Sequence, residues 1–149
     1  MGANGSKGRG DLEVPEKREY RTNVAFNITD NIKVIEAKNA NAKVKLPEES
    51  HTPNRIYVAI NKPANDKFKN KDPYAGKLKS IAVYGDDCIK KFEIHVDHTH
   101  NGLRIHYHPW VDGKPQMAGP GKNASTVAYP LQPEMKKLLE FIKTKVPHV

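Results

Sequence analysis

From Asn23 onward, short runs rich in β-prone apolar residues recur along this chain. Val24 to Ile28, Ile32 to Ala37, Ala42 to Leu46 and Arg55 to Ile60 are short β-prone runs separated by Asn, Asp, Gly and Pro, a pattern that predicts strands. Leu78 to Tyr84 continues the series, Gly85-Asp86-Asp87 makes a turn, and Ile89 to Asp97 returns. After a turn at His100-Asn101-Gly102, Leu103 to His108 completes a meander of three antiparallel strands. The period then changes. Met135, Leu138, Leu139, Ile142 and Val146 recur at helical spacing behind Pro133, which suits a first helical position because its missing N–H costs nothing there. Pro147 marks the end of that helix. The expected fold is α+β: a twisted antiparallel β-sheet packed against a C-terminal α-helix.

Two stretches break the alternation. Pro63 to Gly76 is polar and rich in Lys and Asn, and reads as a functional loop or a partly disordered connection. Val111 to Ala128 holds Gly113, Pro115, Gly119, Pro120 and Gly121, and is expected to be a loop that covers or borders something. Residues 1–20 have little apolar content and read as a disordered leader or linker remnant, leaving 21–149 as a single domain.

Composition narrows the function. Cys88 is the only cysteine, which excludes an intramolecular disulfide framework and a zinc site built from cysteine pairs. No apolar run approaches the roughly 18 residues of a membrane span, so no membrane binding is expected of this domain itself. The formal charge of +8, with a dense patch at Lys67, Lys69, Lys71, Lys77 and Lys79, favours a polyanion, either nucleic acid or an acidic protein. A solvated lysine-rich surface is the plainer alternative.

Five of the seven histidines fall between Glu93 and Trp110. Strand alternation sends Phe92, Ile94 and Val96 to one face and Glu93, His95 and Asp97 to the other. On the partner strand, Leu103, Ile105 and Tyr107 oppose Arg104, His106 and His108. A two-residue type I′ turn at Asn101-Gly102 would put Asp97 opposite His106 and His95 opposite His108. A four-residue turn from Thr99 to Gly102 would instead pair Asp97 with Arg104, His95 with His106 and Glu93 with His108. Both registers gather the same six polar side chains on one face, whereas a one-residue slip would scatter them.

Such a face suits three readings. In metal-independent RNA cleavage, His95, His106 and His108 act as acid and base, Glu93 and Asp97 orient them or act as bases, and Arg104 binds phosphate. No cofactor is then needed, and DNA is excluded because it lacks the 2′-hydroxyl. Alternatively His95, Asp97, His106 and His108 ligate a divalent metal such as zinc, which activates water or only holds the hairpin. The third reading is an exposed strand face with no site. His98, His100 and Trp110, with Lys77 and Lys79, are candidate substrate contacts, and Trp110 can stack a base. Cys88 has no local partner that would activate it as a nucleophile.

The run from Lys79-Ser80-Ile81-Ala82-Val83-Tyr84-Gly85-Asp86-Asp87 through Phe92-Glu93-Ile94-His95-Val96-Asp97-His98 to His106-Tyr107-His108-Pro109-Trp110 resembles the terminal modules of bacterial polymorphic toxins. It is similar to the C-terminal warheads of Rhs and contact-dependent inhibition systems, many of which are ribonucleases of the barnase/EndoU/colicin/RelE type. The resemblance covers Lys77 to Trp110. It implies a toxic ribonuclease acting on RNA, tRNA among the candidates, in a competitor's cytoplasm. Delivery would be as a secreted or cell-surface effector, and a cognate acidic immunity protein would neutralise it. Val96-Asp97-His98-Thr99-His100 also resembles the core of HNH-type metal-dependent nucleases, without their paired cysteines or following helix. A non-enzymatic metal-binding or structural domain of a phage or secretion particle is a further alternative.

Overall fold

In the computed structural model the described residues are 22–37, 46–61, 76–121 and 124–149. Among the described residues seven strands form one sheet: β1 (Thr22–Asn27), β2 (Ile32–Ala37), β3 (Ile56–Ile60), β4 (Leu78–Tyr84), β5 (Lys90–His95), β6 (His106–Val111) and β7 (Lys114–Pro115). Their spatial order follows the sequence. One helix, α1 (Pro133–Lys143), closes the chain, with Pro133 in its first turn and Gln132 at its N-cap. The α+β fold and the C-terminal helix are as the periodicity predicts.

The sheet is not wholly antiparallel, because β2 and β3 run parallel. Parallel neighbours need a crossover, and the described part of the connection, from Leu46 to Arg55, supplies the end of one: Glu49 bridges to Ile89. The run Ala42 to Leu46 lies outside the described residues except for Leu46, which is in no strand. Residues 1–20, Lys67, Lys69, Lys71 and most of Pro63 to Gly76 also lie outside them.

Period-two alternation splits the apolar residues between the two faces of the sheet. Val34, Val58, Ile81 and Ile94 pack with Met135, Leu139, Ile142 and Val146 from the helix and the residues after it. Burying each such side chain is worth about 1.5–3 kcal/mol. The chain end is pinned as well, since Leu78 N donates to Pro147 O at 2.8 Å. On the other face Ile35, Tyr57, Ala59, Ala82 and Tyr84 form a smaller cluster, with the Tyr57 and Tyr84 rings edge to face at 5.3 Å. The Tyr84 hydroxyl donates to Pro47 O, tying the crossover down over this cluster.

The described residues of Val111 to Ala128, which leave out 122–123, hold more regular structure than a loop. Val111 ends β6, and Asp112 and Gly113, with φ of 53° and 80°, turn the chain into β7. Asp-Gly is favoured there because a type I′ turn needs positive φ at both positions. Further on, Met117 bridges Thr126 and Tyr129 bridges Tyr107, so the segment folds back alongside β6. The expectation that it borders something holds, as the histidine contacts below demonstrate.

Candidate metal centre

The pairing of β5 with β6 sets Glu93 opposite His108 and His95 opposite His106, all on the face away from α1. Behind them, Ser80 of β4 pairs with His95 and is buried. The end of the hairpin is a different register. Asn101 (φ 53°) and Gly102 (φ 80°) form the type I′ turn, closed by His100 N donating to Leu103 O at 3.0 Å and Leu103 N to His100 O at 2.9 Å. The turn therefore follows the two-residue alternative while the strands follow the four-residue one. The mismatch is absorbed on one side: Val96, Asp97, His98 and Thr99 face only Arg104 and Ile105. This excursion swings His98 onto the histidine face, where its ring lies 5.0 Å from that of His95 and 5.2 Å from that of His106.

His95, His98, His106 and His108 each offer a ring nitrogen, and the four nitrogens lie within 4.8 Å of one another. Which nitrogens these are follows from what holds the other side of each ring. His95 Nε2 donates to Glu93 Oε1 at 2.7 Å, and His98 Nδ1 donates to Asp97 Oδ1 at 2.8 Å. His106 Nδ1 donates to Leu103 O at 3.2 Å, and His108 Nδ1 donates to Val127 O at 2.7 Å. Carbonyl and ionised carboxylate oxygens only accept, so these outer nitrogens carry the protons. A neutral ring then offers its inner nitrogen as a lone pair: His95 Nδ1 and Nε2 of His98, His106 and His108.

Lone pairs converging in this way need a positive centre between them. His95 Nδ1 and His98 Nε2 are 3.4 Å apart, and zinc–nitrogen bonds of about 2.0–2.1 Å give tetrahedral edges of about 3.4 Å. His106 Nε2 is buried with no hydrogen-bond partner among the described residues. A proton on one ring would satisfy one facing pair and leave the other nitrogens uncompensated. The pattern of a ligating imidazole with its far N–H held by a carboxylate or main-chain carbonyl is that of metal-bound histidine.

Burial and neighbouring imidazoles keep the lone pairs of His106 and His108 available. Burial, then the imidazoles of His108, His95 and His98, holds His106 down at about 4. His108 is lowered too, chiefly by burial and then by His95 and His100, against the opposing pull of the Val127 carbonyl and Glu93. Burial alone would raise Glu93, but its hydrogen bond to His95 and the charge of Lys90 outweigh this and hold it at about 2. Lys90 is itself buried and ion-paired to Glu93, donates to Leu46 O at 3.2 Å, and sits 4.0 Å over the Trp110 ring. Burial draws it below the usual lysine range, with Glu93 and Glu48 opposing. On the other flank Asn61 Nδ2 donates to Asp97 Oδ2 at 3.3 Å.

The residues expected at the site are therefore redistributed. Glu93, His95, His106 and His108 come together as the alternation predicts. Asp97 stands outside the ligand set, and His98 takes the place it was expected to fill. His100 packs its ring 5.0 Å from His108 and 5.6 Å from His106. Arg104 is exposed on the irregular stretch before β6 and donates from Nη1 to Val96 O. Trp110 caps Lys90 on this face, while Lys77 and Lys79 stand half-exposed at the start of β4. Sequence reasoning missed Lys90, Asn61 and the Val127 carbonyl. No family model, no curated protein and no solved structure matches the chain, so the chemistry of this face is read from its own geometry.

Proposed function

We propose that this chain is a metal protein that binds one divalent ion of the zinc class through His95, His98, His106 and His108. The observation that carries this reading is the buried, unpartnered Nε2 of His106, set among three other lone pairs whose rings are each anchored from behind. Neutral imidazoles in a tetrahedral set suit zinc, which imposes no geometry of its own. Bound there, the ion would lock the β5–β6 hairpin, and it could act as a Lewis acid only if one of the four positions were vacated. The test is metal content and competition titration of the purified chain. About one zinc per chain is expected, and His106→Ala should weaken binding by more than the roughly 100-fold that loss of an outer partner can cost. A wild-type chain that takes up no zinc, cobalt or nickel overturns the reading.

A second reading is a metal-independent ribonuclease of the interbacterial toxin type, neutralised by an acidic immunity protein. It is favoured by two carboxylate–imidazole pairs on one face, Glu93 with His95 and Asp97 with the half-exposed His98, in a chain of formal charge +8. RNA cleavage that persists in excess chelator and disappears in His98→Ala would select this reading over the first.

A further inference from the structure

We infer that His98 is the displaceable ligand of this centre, giving way to an exogenous anionic oxygen donor such as a phosphate group while His95, His106 and His108 retain the ion. This rests on the metal reading above and concerns what the site does with its ion. The four ligands are held unequally. His106 and His108 stand on β6 and are buried, 0 % and 7 % exposed as whole residues, and both are anchored by main-chain carbonyls. His95 stands on β5, is 19 % exposed, and is backed by Glu93, which Lys90 fixes in turn. His98 is 48 % exposed and belongs to no strand. Its support is Asp97, on the same irregular stretch, steadied by the Asn61 amide at 3.3 Å.

Three histidines on rigid strands with one open position make the arrangement of a reactive zinc site, whereas four fixed ligands make a closed, structural one. Here the difference between the two lies in a single weakly anchored side chain. Charge identifies the incoming group. Three neutral imidazoles leave the ion its full double charge, so the vacated position favours an anion over another neutral donor. The exposed side of the site is the side on which His98 stands, so the incoming group reaches the ion from solvent without disturbing β5 or β6.

The experiment uses the full chain loaded with cobalt(II), whose visible spectrum reports coordination, titrated with azide and with inorganic phosphate. His98→Ala should keep about one cobalt per chain with affinity reduced no more than about tenfold, and its spectrum should shift on adding either anion. The wild-type chain should shift at higher anion concentration, and in the diamagnetic zinc-loaded chain His98 should return to the ring resonances of a free imidazole in NMR. Loss of cobalt from His98→Ala as complete as from His108→Ala would overturn the inference and leave the metal reading standing. A spectrum unmoved by either anion in both proteins would do the same. If His98→Ala fails to fold, the wild-type titration decides alone. Failure of the wild-type chain to bind cobalt at all would instead remove the metal reading.

Discussion

The two faces of β5 and β6 are built on opposite physical terms. Toward α1, Phe92, Ile94 and Tyr107 join a core whose members are interchangeable in kind: what matters is apolar area and volume. On the other face, Glu93, His95, His106 and His108 are fixed in kind and orientation, since each ring has one nitrogen committed outward and one inward. The first face stabilises the chain whatever the solvent contains. The second holds converging lone pairs, and its stability depends on the proton or ion placed among them.

The contrast can be tested in order of effect. Leu139 is buried on the apolar face, and Leu139→Ala should cost about 3–5 kcal/mol in denaturant unfolding. Metal stoichiometry of the folded fraction should be unchanged. A loss of metal with this variant would mean that the faces are not separable. The metal-stripped chain should next show a pH dependence set by His106, held at about 4 against an ordinary 6.5. Between those values the unfolded chain binds the proton more readily, so stability is present above 6.5 and falls as pH drops toward 4. The loss is on the order of 3 kcal/mol. Glu93, held at about 2 from 4.5, extends the loss to lower pH with the same sign. A flat unfolding profile from neutral pH down to about pH 4 would show that His106 is not held neutral by its surroundings. Smallest are the supporting carboxylates. Glu93→Gln keeps an acceptor for His95 but removes the charge, and should weaken metal binding about 10–100-fold. Asp97→Asn, behind the loosely held His98, should cost no more than about tenfold. Equal losses in the two variants would erase the ranking of ligands.

Much of this arrangement is visible in the sequence because the period of a strand is two. That period alone puts Glu93 with His95 and His106 with His108 on one face, and it survives an uncertain register. The helix is visible for the same kind of reason, as Met135, Leu139 and Ile142 mark one stripe and are buried together. What is hidden depends on more than local pattern. The parallel pairing of β2 with β3 is decided by the path of the crossover, which leaves no mark within either strand. The position of His98 depends on a disagreement between the Asn101-Gly102 turn and the strand register, and neither alone reveals it. Asp112-Gly113 carries the same turn signal as Asn101-Gly102 but is obscured by the Gly and Pro residues that follow. Nothing in the sequence marks Lys90 as buried, since a lysine is seldom buried unpaired; its partner is Glu93, three residues on. The Val127 carbonyl has no signature in side-chain identity at all, although it fixes His108.

The spatial order of the strands, identical to their order in sequence, also sets how far apart in the chain the contacts of each face lie. All four candidate ligands lie between His95 and His108, joined by one tight turn, so bringing them together closes only a short loop at little entropic cost. The apolar face joins Val34 and Val58 to Leu139 and Ile142 across most of the chain, contacts that slow folding in proportion to their separation. The contacts of the hairpin are thus local and those of the helix-covered core long-range, so an ion bound by the hairpin would tie together only neighbouring parts of the chain.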